Sequence, residues 1–396
     1  MGFRTLGGAE VASKRVLVRV DFNVPVAAGR VLDDARVRAA LPTIADLRKR
    51  RARVILISHF DRPQGQRVPS MSLLPLAPIL SQLIGAPVAF AEDCVGPIAL
   101  AAIEKLRDGD VVLLENLRFH PGEEANDPAF ARALATLGDL YVNDAFSAAH
   151  RAHASTEGVA HLLPAYAGRA LQTELEHLER ALGSPKRPVI ALVGGAKVST
   201  KIDLLNNLVG KLDYLAIGGG MANTFRFAQG HDVGASLAEK DLAEIALKIL
   251  GRAQAQGCRV LLPTDMVVAE TLDPGAPSRV TELDQIRPQE RIFDLGPVSL
   301  GQILAAISES ATLIWNGPLG VFEVPPFDAG TLQVARHAAA LTKSGKLIAV
   351  AGGGDTAAAL GAAGLTGDFT FVSTAGGAFL EWMAGKIFPG LAALES

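Results

Sequence analysis

The sequence predicts an α/β protein of two parallel-sheet domains joined by a helical segment. Three observations predict it. Short branched apolar runs recur along all 396 residues, helix-patterned stretches separate them, and glycine-rich or basic turns follow the runs. Continuous apolar strands are what a parallel sheet covered on both faces requires. Alternation of strand, helix and strand is the βαβ pattern. A chain of this length with 49% hydrophobic residues exceeds what one core organises, so two domains are expected.

The expected strands are RVLVRV (15–20), RVILIS (53–58), DVVLLE (110–115), VIALVG (189–194), DYLAIG (213–218), RVLLP (259–263), TLIWNG (312–317), KLIAVAG (346–352) and FTFVS (369–373). Helices are expected over 35–50, 202–211, 300–310, 329–343 and 355–363. Another lies within 239–257, where Leu242, Ile245, Ala246, Ile249 and Leu250 share one face. The stretch 165–188 reads as a connector helix carrying Leu171, Leu175, Leu178 and Leu182, closed by Gly183 and Pro185. The domain boundaries follow: 1–168, a connector 169–184, 185–378, and a tail 379–396.

Composition narrows the function. A net charge of −3 suggests neither a nucleic-acid coat nor a basic membrane surface, so any positive field is local. Cys94 and Cys258 are far apart without a CxxC partner, so neither a disulfide framework nor a structural zinc site is expected, and a reducing compartment fits. The N-terminus shows no signal-peptide core, Leu6 breaks a myristoylation motif, and no apolar run is long enough to span a membrane. A cytoplasmic protein with neither a nucleic-acid nor a membrane partner is expected.

In the second half, VGGAKVSTK, IGGGMANTF, VAGGGDTAAAL and VSTAGGAFLE all follow expected strands. Ligands of parallel α/β sheets bind beyond the carboxyl ends of the strands. Four such segments suggest one cleft lined by backbone N–H groups. In GGGDTAAAL, Asp355 or Thr356 is placed to cap a helix, and Asp355 to face a magnesium ion on phosphates. LVGGAKVSTKIDLL departs from GxxxxGK[ST], since Ala196, not glycine, stands immediately before Lys197. If a helix has begun there, Lys197 and Lys201 share a face, and a polyphosphate would neutralise the pair.

The first half carries basic residues beyond strand ends instead. Asp21, Asn23 and Arg36 follow the first strand, His59 and Arg62 the second, Arg118 the third, and His150, Arg151 and His153 occupy NDAFSAAHRAHAS. Guanidinium forks match carboxylate and phosphate geometry, so this half suits a small, strongly anionic substrate. His150 and His153 lack a third ligand at metal-site spacing.

RVDFNVP, SHFDRPQG, LLENLRFHPGEE, NDAFSAAHRAHAS, ALVGGAKVSTKIDLLNNLVGKLDYLAIGGGMANTF, WNGPLGVFE and GGGDTAAAL, in this order, resemble the signatures of the phosphoglycerate kinases from end to end. The resemblance implies two Rossmann-like domains with a hinge, the C-terminal tail returning to the first. It implies reversible Mg2+-dependent phosphoryl transfer from 1,3-bisphosphoglycerate to ADP, giving 3-phosphoglycerate and ATP, as in glycolysis, gluconeogenesis or carbon fixation. A related kinase acting on another small anionic carboxylate is the alternative. By the family pattern Asp21, Phe22, Asn23, Arg36, His59, Phe60, Asp61, Arg62, Arg118 and Arg151 hold the glycerate acid. Lys197, Lys201, Glu323, Gly353, Gly354, Asp355 and Thr356 hold the nucleotide, with Asp355 on the metal. Arg36, Lys197, Gly354 and Gly377 are the expected catalytic set, and the expected mechanism needs hinge closure. Two departures stand out: FDRP where the family has LGRP, which puts Asp61 at a glycine position, and STAGGA, with Ala375 at the first glycine of STGGGA. Ala375 is harmless only if its φ is negative.

Overall fold

The computed structural model describes residues 2–27 and 30–395. The chain divides into two compact units, one running to Leu175 and resuming at Ile387, the other spanning Glu176–Lys386.

The first unit is built on strands β1 (Arg15–Arg19), β4 (Arg53–Ile57), β5 (Val88–Ala91), β6 (Val111–Leu114), β7 (Leu140–Asn143) and β8 (Ala165–Ala167). They pair in parallel in the order β5-β6-β4-β1-β7-β8. A two-stranded antiparallel ribbon, β2 (Val26–Ala27) and β3 (Arg30–Val31), precedes the helix Ala35–Lys49. The central strands β1, β4 and β6 are buried on nearly every residue, which is why their runs are continuous rather than alternating. The last residues of the chain belong here: Asn143 donates to the Gly390 carbonyl at 3.3 Å, and the rings of Phe146 and Phe388 lie 5.3 Å apart.

The second unit repeats the plan with β9 (Val189–Val193), β10 (Tyr214–Ile217), β11 (Arg259–Leu261), β15 (Thr312–Asn316), β16 (Ile348–Gly352) and β17 (Phe371–Ser373), parallel in the order β11-β10-β9-β15-β16-β17. It adds an antiparallel sheet of β13 (Arg279–Glu282), β12 (Asp265–Ala269) and β14 (Arg291–Leu295). The fold class is therefore α/β with two parallel-sheet domains, and a helical segment, Arg169–Leu178, runs from one unit into the other. Leu171, Leu175 and Leu178 bury its apolar stripe.

All nine expected strands are present. The sequence reading missed β5, β7, β8, the β2–β3 ribbon and the antiparallel sheet. β2, β3, β5 and β8 are two to four residues long and β13 is largely exposed, so their apolar signal is weak, whereas β7 and β12 are buried but short runs with a polar residue at one end. The expected helix over 202–211 is shorter, Ile202–Leu208.

Candidate active site

In the first unit the four arginines follow four neighbouring strands. Arg36 comes after β1, Arg62 after β4, Arg118 after β6 and Arg151 after β7, all at the carboxyl edge of one sheet. Arg36 lies in the first turn of its helix and donates to Asp21 Oδ2 at 2.9 Å and to the Asn23 carbonyl at 3.0 Å. Asp21 also accepts from Asn23 N at 3.0 Å and from the Ser147 hydroxyl, so one carboxylate orients the guanidinium and the turn beneath it. Asn23 Oδ1 accepts from Asp61 N at 2.9 Å, tying the turns after β1 and β4 together.

Arg118 is almost fully buried, pairs with Glu124 at 3.1 Å and donates to the Asp61 carbonyl at 2.7 Å. Asp61 has a φ of +53°, a left-handed conformation in which a glycine is natural and an aspartate is tolerated. The residue is exposed, and its main chain, not its carboxylate, is what the neighbouring groups use. Arg62 is exposed, as is Arg151, whose Nε lies 3.1 Å from His150 Nε2. The Phe22 and Phe60 side chains sit in the hydrophobic core. Their N–H groups go to Ser58 Oγ (2.9 Å) and Asn116 Oδ1 (3.1 Å), so both anchor the turns from below.

Beneath these groups lies a buried polar layer that the motif reading passed over. Arg19, 1% exposed, donates to Ser155 Oγ at 2.9 Å and to the Val20 carbonyl, and its Nη2 lies 3.0 Å from His59 Nδ1. Ser155 in turn donates to Glu123 Oε1 at 2.6 Å. A guanidinium only donates, so His59 Nδ1 must accept and Nε2 carries the proton. Burial holds the His59 pKa well below the ordinary imidazole value, and Arg19, Arg118, His153 and Arg36 push it the same way. His59 is thus a neutral Nε2–H donor within a basic cluster. Burial likewise takes His153 down to about 4, with Arg118 the next cause. An arginine inside the buried run RVLVRV was the signal for this layer, because such a charge must find partners.

In the second unit a cleft of about 490 Å3 opens beyond the strand ends. Gly195, Gly219, Gly220, Leu319, Val321, Glu323 and Asp355 are among the residues that line it. Backbone approach demands the glycines: a Cβ on Gly194 would lie 1.9 Å from the Pro318 carbonyl oxygen.

The two lysines do not share a helix face, which corrects the expectation. The helix starts only at Ile202, and 197–201 forms the turn before it. Lys197 is exposed, whereas Lys201 points inward, 9% exposed. Lys201 Nζ donates to Asn316 Oδ1 at 2.6 Å, to the Asn316 carbonyl at 3.2 Å and to the Gly194 carbonyl. Burial pulls its pKa down to about 8, against the opposing pull of Asp355. Asn316, at the end of β15, also donates to the Gly352 carbonyl at 2.8 Å, and so joins the β9, β15 and β16 loops. It went unsingled in the sequence because WNG reads as a plain strand end.

The helix cap is also corrected. Gly353 is the N-cap of the helix Gly354–Ala362, with no side-chain cap bond. Thr356 is buried and accepts from Gly317 N at 2.7 Å, while Asp355 is exposed in the first turn. Gly377 opens the helix Gly377–Met383 behind its N-cap Gly376. Among the described non-glycine residues with positive φ (Ser13, Arg51, Asp61, Gln64 and Asn126), Ala375 does not figure, so its methyl group strains nothing.

The phosphoglycerate kinase family pattern matches residues 6–386. The chain belongs to the phosphoglycerate kinase family. It is an enzyme, a phosphotransferase of that family. It is 65% identical over 396 residues to the phosphoglycerate kinase of Caulobacter vibrioides (strain NA1000 / CB15N), covering 100% of both chains. With that of Methylobacterium radiotolerans it shares 59% over 395 residues, covering 100% of this chain and 99% of the relative. Among solved structures, phosphoglycerate kinase from Coxiella burnetii superposes with a TM-score of 0.92 at 40% identity, covering 99% of this chain and 98% of that one. Phosphoglycerate kinase from Pyrococcus horikoshii OT3 gives 0.83 at 31% identity, with the same shares covered. No described helix is long and apolar enough to cross a membrane.

Proposed function

We infer that the basic cluster of the first unit binds 3-phosphoglycerate and the cleft of the second binds the nucleotide. The reaction is reversible phosphoryl transfer between the acyl phosphate of 1,3-bisphosphoglycerate and the terminal oxygen of ADP. The observation that supports this reading most is the set of four arginines behind four adjacent strands, with Arg36 already oriented by Asp21. A neutral substrate has no use for such a set.

The attacking group is ionised in either direction, a carboxylate or a phosphate oxygen, so no strong general base is needed. Catalysis is positioning and charge stabilisation. Arg36 and Lys197 serve the transferring group. Gly354 and Gly377, each the first residue of a helix, offer main-chain N–H donors to its oxygens. His59 donates through Nε2, and Arg62, Arg118 and Arg151 neutralise the remaining substrate charge. Lys201 holds nucleotide phosphate, Glu323 the ribose, and Gly353 and Thr356 shape the loop. Mg2+ is a hard cation that keeps waters and takes one or two carboxylates beside phosphate oxygens; the exposed Asp355 carboxylate on the cleft fits that demand. When bound, the ion neutralises charge on the nucleotide phosphates. The reading is of a cytoplasmic monomer acting on small molecules.

A coupled assay of ATP formation from ADP and 1,3-bisphosphoglycerate, run beside other acyl phosphates and sugar phosphates, tests the assignment. Turnover with 1,3-bisphosphoglycerate far above the controls is expected; equal turnover with another acyl phosphate would replace the substrate.

A further inference from the structure

Away from both anion sites, one group of metal-ligating side chains converges among the described residues. Asp93, Cys94 and His120 each offer a ligand atom, and the three atoms lie within 4.8 Å of one another. Asp93 and Cys94 follow β5, and His120 follows the turn Leu117–Phe119 after β6, the strand beside β5. Two adjacent parallel strands therefore deliver the ligands at their carboxyl ends. Asp93 Oδ1 lies 2.7 Å from His120 Nε2 and accepts from Cys94 N at 2.7 Å, which turns the carboxylate toward both companions. The His120 ring is stacked on Phe130 with centroids 5.1 Å apart, so its orientation is held. The Cys94 side chain forms a buried floor, whereas Asp93 and His120 keep 28% and 32% of their side chains open to solvent. An ion has a way in from the solvent side and a thiol to meet.

We propose that Asp93, Cys94 and His120 form a binding site for a borderline transition-metal dication of the zinc class, distinct from the magnesium of the nucleotide. One sulfur, one imidazole nitrogen and one carboxylate oxygen are zinc-type ligands and poor magnesium ligands. Three protein ligands leave a fourth position for water. Binding removes the Cys94 thiol proton to solvent. It also opens the Asp93–His120 hydrogen bond, leaving His120 neutral with its proton on Nδ1 and its Nε2 lone pair on the metal. Cys94 lies outside the quoted motifs and His120 within LLENLRFHPGEE, so spacing rules do not reveal the site.

The test is a titration of chelator-treated full-length chain with Co2+, in excess Mg2+, followed by competition with Zn2+. One equivalent of Co2+ is expected to give a thiolate-to-cobalt charge-transfer band with four-coordinate d–d bands, and one equivalent of Zn2+ to abolish them. Cys94→Ser should remove the charge-transfer band, Cys258→Ser should leave it, and His120→Asn and Asp93→Asn should each weaken binding by ~10-fold or more. No band at one equivalent, or a band surviving Cys94→Ser, overturns the site. Should Cys94→Ser fail to fold by circular dichroism, undiminished affinity in both His120→Asn and Asp93→Asn overturns it instead.

Discussion

Arg36 and Lys201 are the residues on which the chemistry is most open to measurement. Arg36 is held in place by Asp21 and the Asn23 carbonyl before any substrate arrives, so its contribution is made without reorganisation. Arg36→Ala should lower kcat by roughly 10²-fold or more, the scale of losing one oriented donor, and an unchanged kcat in steady-state assays would remove the residue from the mechanism. Burial pulls the Lys201 pKa down to about 8 in the free chain, against the opposing pull of Asp355. Nucleotide phosphates favour its ammonium form, so ADP binding takes up a proton where Lys201 is neutral. ADP affinity should therefore fall as pH rises through about 8, and Lys201→Arg should flatten that limb. Calorimetry in two buffers of different ionisation enthalpy measures the uptake directly; none at pH above 8 would refute it. Residues of this kind were partly legible. Motif spacing exposes Lys197 and Lys201 but not that one faces outward and the other in. Arg19 left a trace as a charge in an apolar run, but its partners Ser155 and His59, like the Ser155 partner of Glu123 and the Lys201 partner of Asn316, come from distant turns that the sequence does not bring together.

The segment Arg169–Leu178 shows how an element is fixed at its start. Asp144, beyond β7, accepts from Ala170 N and Leu171 N at 2.9 and 3.2 Å. A Cβ on Gly168 would stand 2.2 Å from Asp144 Oδ1, so Gly168→Ala should cost about 1–3 kcal/mol in urea unfolding. Burial pushes the Asp144 carboxyl up to about 7, against its hydrogen bonds to Thr43 and the two N–H groups. An acid raised in the folded state contributes its full stability below its unfolded pKa of about 4 and loses it as pH rises through about 7. Asp144→Asn keeps an acceptor without the charge. Its stability relative to the parent should therefore improve between about pH 5 and pH 8; an identical difference at both values refutes the titration. The apolar stripe of this helix was readable from its leucines. Its cap was not, because the capping side chain comes from 25 or more residues upstream.

For the whole molecule, the expectation is that each ligand acts on its own unit. ADP at 100 times its Kd adds about 2.7 kcal/mol to the unit that binds it. In hydrogen exchange, ADP should protect the loops after β9, β10, β15 and β16, and 3-phosphoglycerate those after β1, β4, β6 and β7. Protection of the opposite set by either ligand alone would reverse the assignment. The two-unit plan was legible because fully buried parallel strands leave continuous apolar runs. The antiparallel sheet was not, since its outer strands β13 and β14 are half-exposed and its buried middle strand β12 is a short run opened by an aspartate.

The contacts of Asn143 and Phe146 with Gly390 and Phe388 have a consequence for biosynthesis. A ribosome making this chain releases the strands of the first unit early, but the segment that covers Ala149 follows about 200 residues later, roughly 10–40 s at ordinary elongation rates. The second unit has all of its residues first. The earlier-made unit waits with one face uncovered, and a chaperone that shields nascent apolar surface has its window there.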